Sequence, residues 1–263
     1  MQSFIQTIPG STGSVNMVKV EGGVFDMGGE SWTEYSMPVH RVALSDYLMA
    51  AHPVTQELWE AVMGKEKNES LFRGKRRPVE TVSWEQINND FLPVFNELTV
   101  RSRPYGTMYQ LPTEAQWEYA ARGGQRSAGY IYSGGHKLDD AGWYDENSHR
   151  ETKPVGLKLP NELGLYDMSG NVWEWCSDRY GSFYYEICKE KGVVKDPDGT
   201  LGGDTRVLRG GCWLTSHQRC CVANRDGYHP VSRYCDTGFR LVLVYLPVWE
   251  VNPVAIFSPR PAP

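Results

Sequence analysis

Apolar residues along this chain fall in short, mostly strand-like patterns, with helical spacing at three places. Residues 17–20 (MVKV) and 23–28 (GVFDMG) read as a hairpin turning at Glu21-Gly22, and residues 38–44 (PVHRVAL) alternate as a strand. In residues 53–63, Leu58, Trp59 and Val62 recur at helical spacing; Thr55 is placed to cap that helix and Gly64 to end it. A second helix starts after Ser83. Its predicted buried side is Trp84, Ile87, Phe91, Val94, Phe95 and Leu98, with Pro93 as a kink or break. The third lies in LPTEAQWEYAARGG, where Thr113 is the N-cap, Gln116 completes a capping box and Gly123 takes the C-cap position. Residues 238–243 (GFRLVL) close the pattern as an apolar, β-branched strand.

Between the Arg209-Gly210-Gly211 turn and that last strand, periodicity fails. WLTSHQRCCVANRDGYHPVSRYCD shows neither a helical stripe nor clean alternation. Irregular polar and aromatic segments held between firm ends carry recognition in many folds; the alternative is an ordinary long loop. Residues 65–77 form another charged loop, basic at its end, which reads as a solvated face.

Composition adds exclusions. Apolar and charged fractions are those of a globular protein, and a net charge of -5 argues against a general nucleic-acid binder, which needs a basic footprint. No apolar run is long enough to span a membrane, and the first residues lack the basic start and apolar core of a signal peptide. The cysteines at 176, 188, 212, 220, 221 and 235 form no paired C-x-x-C metal pattern and read as mostly free thiols, with room for one bridge.

Two acidic constellations stand out. Glu114 and Glu118 lie one helical turn apart; with no nucleophile beside them, a structural role binding arginines or backbone amides is favoured over acid–base catalysis. In GLYDMSGNVWEW, Asp167 and Glu174 flank a glycine-containing turn whose carbonyls could join them in the oxygen shell that calcium prefers. The other reading is a packed tryptophan turn with solvated acids.

The segments LPTEAQWEYAARGG, GLYDMSGNVWEW, RVLRGGCW and GFRLV, in that order, resemble the formylglycine-generating enzymes, also called sulfatase-modifying factors. PVHRVAL, PVTQELW and PVETVSW fit the same pattern, so the resemblance covers residues 15–243. It implies an α+β chain with an elaborated C-type lectin fold and much irregular structure. The expected domain is 15–246, between an N-terminal tail (1–14) and a Pro-rich C-terminal tail (247–263). The resemblance also implies a structural calcium held by the Asp167 and Glu174 side chains and the Gly170 and Val172 carbonyls. The family's oxidases use a C-x4-C pair that holds copper. Here Thr215 stands where the first cysteine should be and Cys220 where the second could be; Cys212 replaces a serine after Arg209-Gly210-Gly211. Copper(I) favours thiolates, so a threonine argues against the oxidase.

Trp213, a jumbled stretch, then VANR, a lone proline, a lone arginine and GFRLV resemble the variable proteins of diversity-generating retroelements, which are built on the same fold. In those systems randomised AAC codons cannot yield Lys, Glu, Gln, Met or Trp. Between Leu214 and Asp236 only Gln218 breaks that rule. The implied function is a non-catalytic display protein whose variable segment, about residues 213–237, binds a protein or surface ligand; the alternative is a copper-dependent oxidase of sulfatase-type substrates. The candidate ligand-binding set is Trp213, Leu214, Thr215, Ser216, Arg219, Asp226, Gly227, Tyr228, His229, Val231, Ser232, Tyr234, Cys235 and Asp236, with Trp213, Asn224, Arg225, Pro230, Arg233 and Gly238 as anchors. The expected setting is a monomer at the cell surface or outside the cell, any lipid anchor lying ahead of residue 1.

Overall fold

The computed structural model describes residues 1–29, 34–200 and 202–246. Phe4–Thr7 (β1) pairs antiparallel with the start of Ser14–Val20 (β2), so the stretch expected as an N-terminal tail supplies an edge strand instead. Gly23–Met27 (β3) pairs with His40–Leu44 (β4), while β2 pairs with Tyr47–Ala50 (β5). The expected β2–β3 hairpin therefore does not form, and Glu21-Gly22 is a crossover between two sheets. Gly22 lies so close to the end of β4 that a Cβ there would meet the Leu44 carbonyl at 2.2 Å, which admits glycine alone.

Helix α1 is Gln56–Met63, with the Thr55 hydroxyl accepting from the Leu58 N–H and Gly64 at its end, as predicted. The second helical stretch begins at Trp84–Gln86 (α2), capped by Ser83, passes through a π turn at Ile87–Phe91 and continues as Leu92–Thr99 (α3). A π turn inserts one residue into the repeat. The apolar stripe rotates after it: Ile87, Phe91 and Phe95 are buried, but Val94 and Leu98, expected on the same side, are exposed. Thr107–Gln110 (β6) leads to Glu114–Ala121 (α4), whose capping box between Thr113 and Gln116 is complete and whose end is marked by Gly123 in the left-handed region. After the short helix Leu138–Ala141 (α5), residues 142–172 contain neither helix nor strand. The remaining elements are Trp173–Arg179 (β7), Tyr184–Lys191 (α6), Val194–Lys195 (β8), Arg206–Arg209 (β9), Arg225–Tyr228 (β10), Thr237–Gly238 (β11) and Val242–Tyr245 (β12). The predicted single closing strand is thus two short ones. The expected C-terminal tail, 247–263, lies outside the described residues.

Among the described residues the strands form three sheets, ordered β1-β2-β5-β12-β6, β10-β9-β7-β11 and β3-β4-β8. One core packs α1 and the π turn against the first two sheets. There Trp59 stacks on Phe91 at 5.2 Å and meets Phe239 edge-on at 6.2 Å, contacts that each add about 0.5–1.5 kcal/mol beyond area burial. A second core packs α4 and α6 around Val42, Trp117, Tyr119 and Tyr185.

Buried ion pairs cross between these layers. Arg209 pairs with Glu118, Arg225 with Glu114 and Arg240 with Glu174. The structural role read for Glu114 and Glu118 holds: both are buried, and each is occupied by an arginine of the C-terminal half.

Candidate binding face

The irregular segment leaves β9 through Gly210 and Gly211, both in the left-handed region at φ 96° and 72°. Their lack of a side chain is required, since a Cβ would meet the Trp117 ring at 3.1 Å at Gly210 and the Cys220 sulfur at 2.6 Å at Gly211. The chain is then held from below. Arg209 Nη1 donates to the carbonyls of Ala223 (3.0 Å) and Asn224 (2.8 Å), and Nη2 donates to that of Val222 (2.9 Å) as well as to Glu118. Burial pushes Glu118 up, but Arg122 and Arg209 hold its carboxyl below the usual range. Arg225 grips Glu114 with two bonds of 2.6 Å, so β10 is pinned to the N-terminus of α4.

Beneath that clamp sits Asp178, buried and accepting from the Glu114 N–H at 2.9 Å. Burial, then the Glu114 charge, raises its pKa to about 7. The folded chain thus holds a proton that the unfolded chain, with aspartate near about 4, gives up. Its stabilising contribution is complete below that value and is lost as pH rises through about 7. Unfolding midpoints of the wild type and Asp178→Asn between these limits test this: the wild type should lose stability relative to the variant as pH rises, and parallel profiles would contradict it.

Above the anchors the predicted positions gather. Leu214, His229, Val231 and Tyr234 are exposed, and Thr215, Ser216, Arg219, Asp226, Tyr228, Ser232, Cys235 and Asp236 are half-buried. The Tyr228 and Tyr234 rings meet at 5.0 Å, and Arg219 pairs with Asp226. The Trp213 indole donates to the Cys235 carbonyl at 3.2 Å, which ties the 214–216 end to the 234–236 end.

Several residues lie elsewhere than their sequence pattern predicts. Trp213 is 6% exposed, packed edge-on against Phe72 at 5.3 Å, and so is a support rather than a contact residue. Gly227 is backed by Tyr180, whose ring a Cβ would meet at 3.0 Å, so a side chain there requires Tyr180 to shift. Arg233, expected as an anchor, is exposed and held at the surface, pairing with Glu69 at 2.6 Å and donating to the Thr81 carbonyl. Conversely, Glu69, Leu71 and Phe72 belong beside the face; Leu71 is 63% exposed. A loop that reads as a solvated run carries no sequence signal for that placement.

The calcium assignment also changes. Glu174 is fully buried, with both oxygens bound by Arg240 at 2.6 Å and one of them also accepting from the Trp117 indole. Asp167 accepts from the Gly156 N–H (2.8 Å) and the Asn171 amide (3.2 Å). A guanidinium already neutralises the carboxylate that calcium would need. Asp167, Gly170, Val172 and Glu174 therefore do not fit a cation site, and the alternative of solvated acids fails too, because both acids are buried.

The cysteines are all free, and Cys212 and Cys220 are buried. The Thr215 hydroxyl lies 3.6 Å from the Cys220 sulfur. Burial pushes Cys220 up to about 12 and raises Cys212 as well, so both are neutral thiols at physiological pH.

Residues 9–244 match the model of the sulfatase-modifying factor enzyme 1-like domain. The chain belongs to the sulfatase-modifying factor family. Its fold is the elaborated C-type lectin-like one expected of that family, α+β with curled sheets and much irregular structure. Among solved structures this sulfatase-modifying factor chain is similar to Treponema denticola variable protein 1, at 30% identity and a TM-score of 0.80, covering 91% of this chain and 98% of that one. It is 33% identical to the chaperone protein LppX of Paenibacillus barcinonensis over 91% of this chain and 93% of that protein. It is also 38% identical to the formylglycine-generating enzyme of Streptomyces coelicolor, over 62% of this chain and 51% of the enzyme.

Proposed function

We propose that this chain is a non-catalytic ligand-binding protein, displayed as a monomer at the cell surface or outside the cell, whose residues 213–237 form a binding face varied by a retroelement. The observation that carries the reading is the division of that segment. Arg225 and Asn224 are 2% and 0% exposed, whereas Leu214, Val231 and Tyr234 are each at least half exposed. Side chains above such a frame can change with little effect on the fold. The likeness to a variable protein supports this. Paired tyrosines over small polar groups give a paratope-like surface. Sequencing the gene across many cells of one lineage tests the diversification. Substitutions should concentrate in the codons of the exposed and half-buried positions and spare Trp213, Arg225 and Gly238; an even spread along the gene would contradict it.

The oxidase reading is the other one that a specific observation bears on, through Cys220. A threonine hydroxyl is a poor soft-metal ligand, and Cys220 is a buried neutral thiol. Incubating the protein with copper and a Cys-x-Pro-x-Arg peptide should yield no more aldehyde than a Cys220→Ser variant yields. Turnover that depends on Cys220 would restore the enzyme.

A further inference from the structure

Residues 73–77 and 149–159, distant in the chain, lie side by side. The Val155 N–H donates to the Arg76 carbonyl at 2.9 Å, and Arg76 Nη2 donates to the Val155 carbonyl at 3.2 Å. This apposition joins Arg73, Lys75, Arg76 and Arg77 to Arg150 and Lys153 in a basic ridge, on a chain whose net charge is -5. The carboxylates facing the ridge are Glu57, 3.6 Å from Lys75, Glu151, shared by Arg77 and Lys153 at 3.1 and 2.7 Å, and the buried Glu80, whose charge is felt by Arg73. Positive charge remains in excess there. At the far end Lys158 donates to the Asp139 carbonyl and lies 4.2 Å over the Trp143 ring, and Asp139 and Asp140 reduce the excess. The ridge is tipped by Leu157 and Leu159, each 59% exposed.

We propose that this ridge docks on an anionic lipid surface, with Leu157 and Leu159 entering the headgroup boundary beside the cations. Arginines and lysines draw a protein to anionic headgroups, and exposed aliphatic side chains then add burial that salt does not screen. Two leucines with more than half their surface free protrude rather than line a groove, which suits a bilayer better than an acidic peptide. The proposal is independent of the display reading, since it uses none of residues 213–237.

Flotation of the purified protein with vesicles of phosphatidylcholine mixed with phosphatidylglycerol, against phosphatidylcholine alone, tests it. Binding is expected to the mixed vesicles only and to fall with added salt. Each Lys or Arg near an anionic surface strengthens binding about five-fold, so Arg73→Gln with Arg76→Gln should weaken it about 25-fold. Leu157→Ser with Leu159→Ser should weaken it while leaving the salt dependence in place. Unchanged melting temperatures in both variants confirm that the fold is kept. Equal partition into both vesicle types, or binding that neither pair of substitutions alters, overturns the proposal. Absence of vesicle binding, with poly-glutamate retaining the wild type but not the arginine variant, overturns it in favour of an acidic protein partner.

Discussion

Arg240→Met is expected to lower the unfolding free energy by about 3–5 kcal/mol, because it strands a buried carboxylate without its cation. Arg240 and Glu174 are both fully buried, and the guanidinium also donates to the carbonyls of Ala50 (3.1 Å) and Tyr166 (3.0 Å). The pair thus joins β5, the loop before β7 and the last part of the chain. Replacing both partners with apolar residues of similar size, Arg240→Met with Glu174→Leu, removes the stranded charge and should recover much of the loss, although the two carbonyls and the Trp117 N–H stay unpaired. Chemical denaturation of the single and double variants measures this. If Arg240→Met costs no more than an exposed substitution, the cation role assigned to Arg240 is wrong.

Arg209→Met should be comparably severe, at about 3–5 kcal/mol, since it leaves the Glu118 charge buried beside only the partly exposed Arg122. It also frees three carbonyls of residues 222–224, so its effect has a location. Amide hydrogen exchange should speed up first through residues 220–228, ahead of the first sheet. Uniform acceleration across all three sheets would place the damage elsewhere.

What could be read from the sequence was the part governed by local rules. Thr55, Ser83 and Thr113 cap their helices as their spacing predicts, because a capping bond closes within three residues. The paired glutamates of α4 were legible as arginine partners, since such acids on a buried face need cations. Strand pairing was not. Glu21-Gly22 looks like a hairpin turn, and only contact with Leu44, more than twenty residues on, makes it a crossover. The π turn hid the exposure of Val94 and Leu98 because it breaks the period on which the stripe was counted. At the candidate face, Leu214, His229, Val231 and Tyr234 are exposed while the other expected positions are half-buried or buried, a division that the absence of periodicity could not give. The burial of Trp213, the tight backing of Gly227 and the outward turn of Arg233 depend on Phe72, Tyr180, Thr81 and Glu69, which belong to other parts of the chain. The poor fit of Glu174 to calcium has the same origin, since the arginine that occupies it lies 66 residues away.

A rigid frame is expected to lie beneath a tolerant face, and a denaturation series on both sets tests that most directly. Leu214→Ser, His229→Ser and Val231→Ser, at positions that are exposed, should each shift stability by only about ±0.5 kcal/mol. Trp213→Ala should cost about 3–5 kcal/mol through the cavity it leaves, and Arg225→Met should cost well above an exposed substitution, because it leaves the buried Glu114 with Arg209, 3.7 Å away, as its cation. Face substitutions that destabilise as much as the anchors would contradict the account and make residues 213–237 an ordinary structural loop.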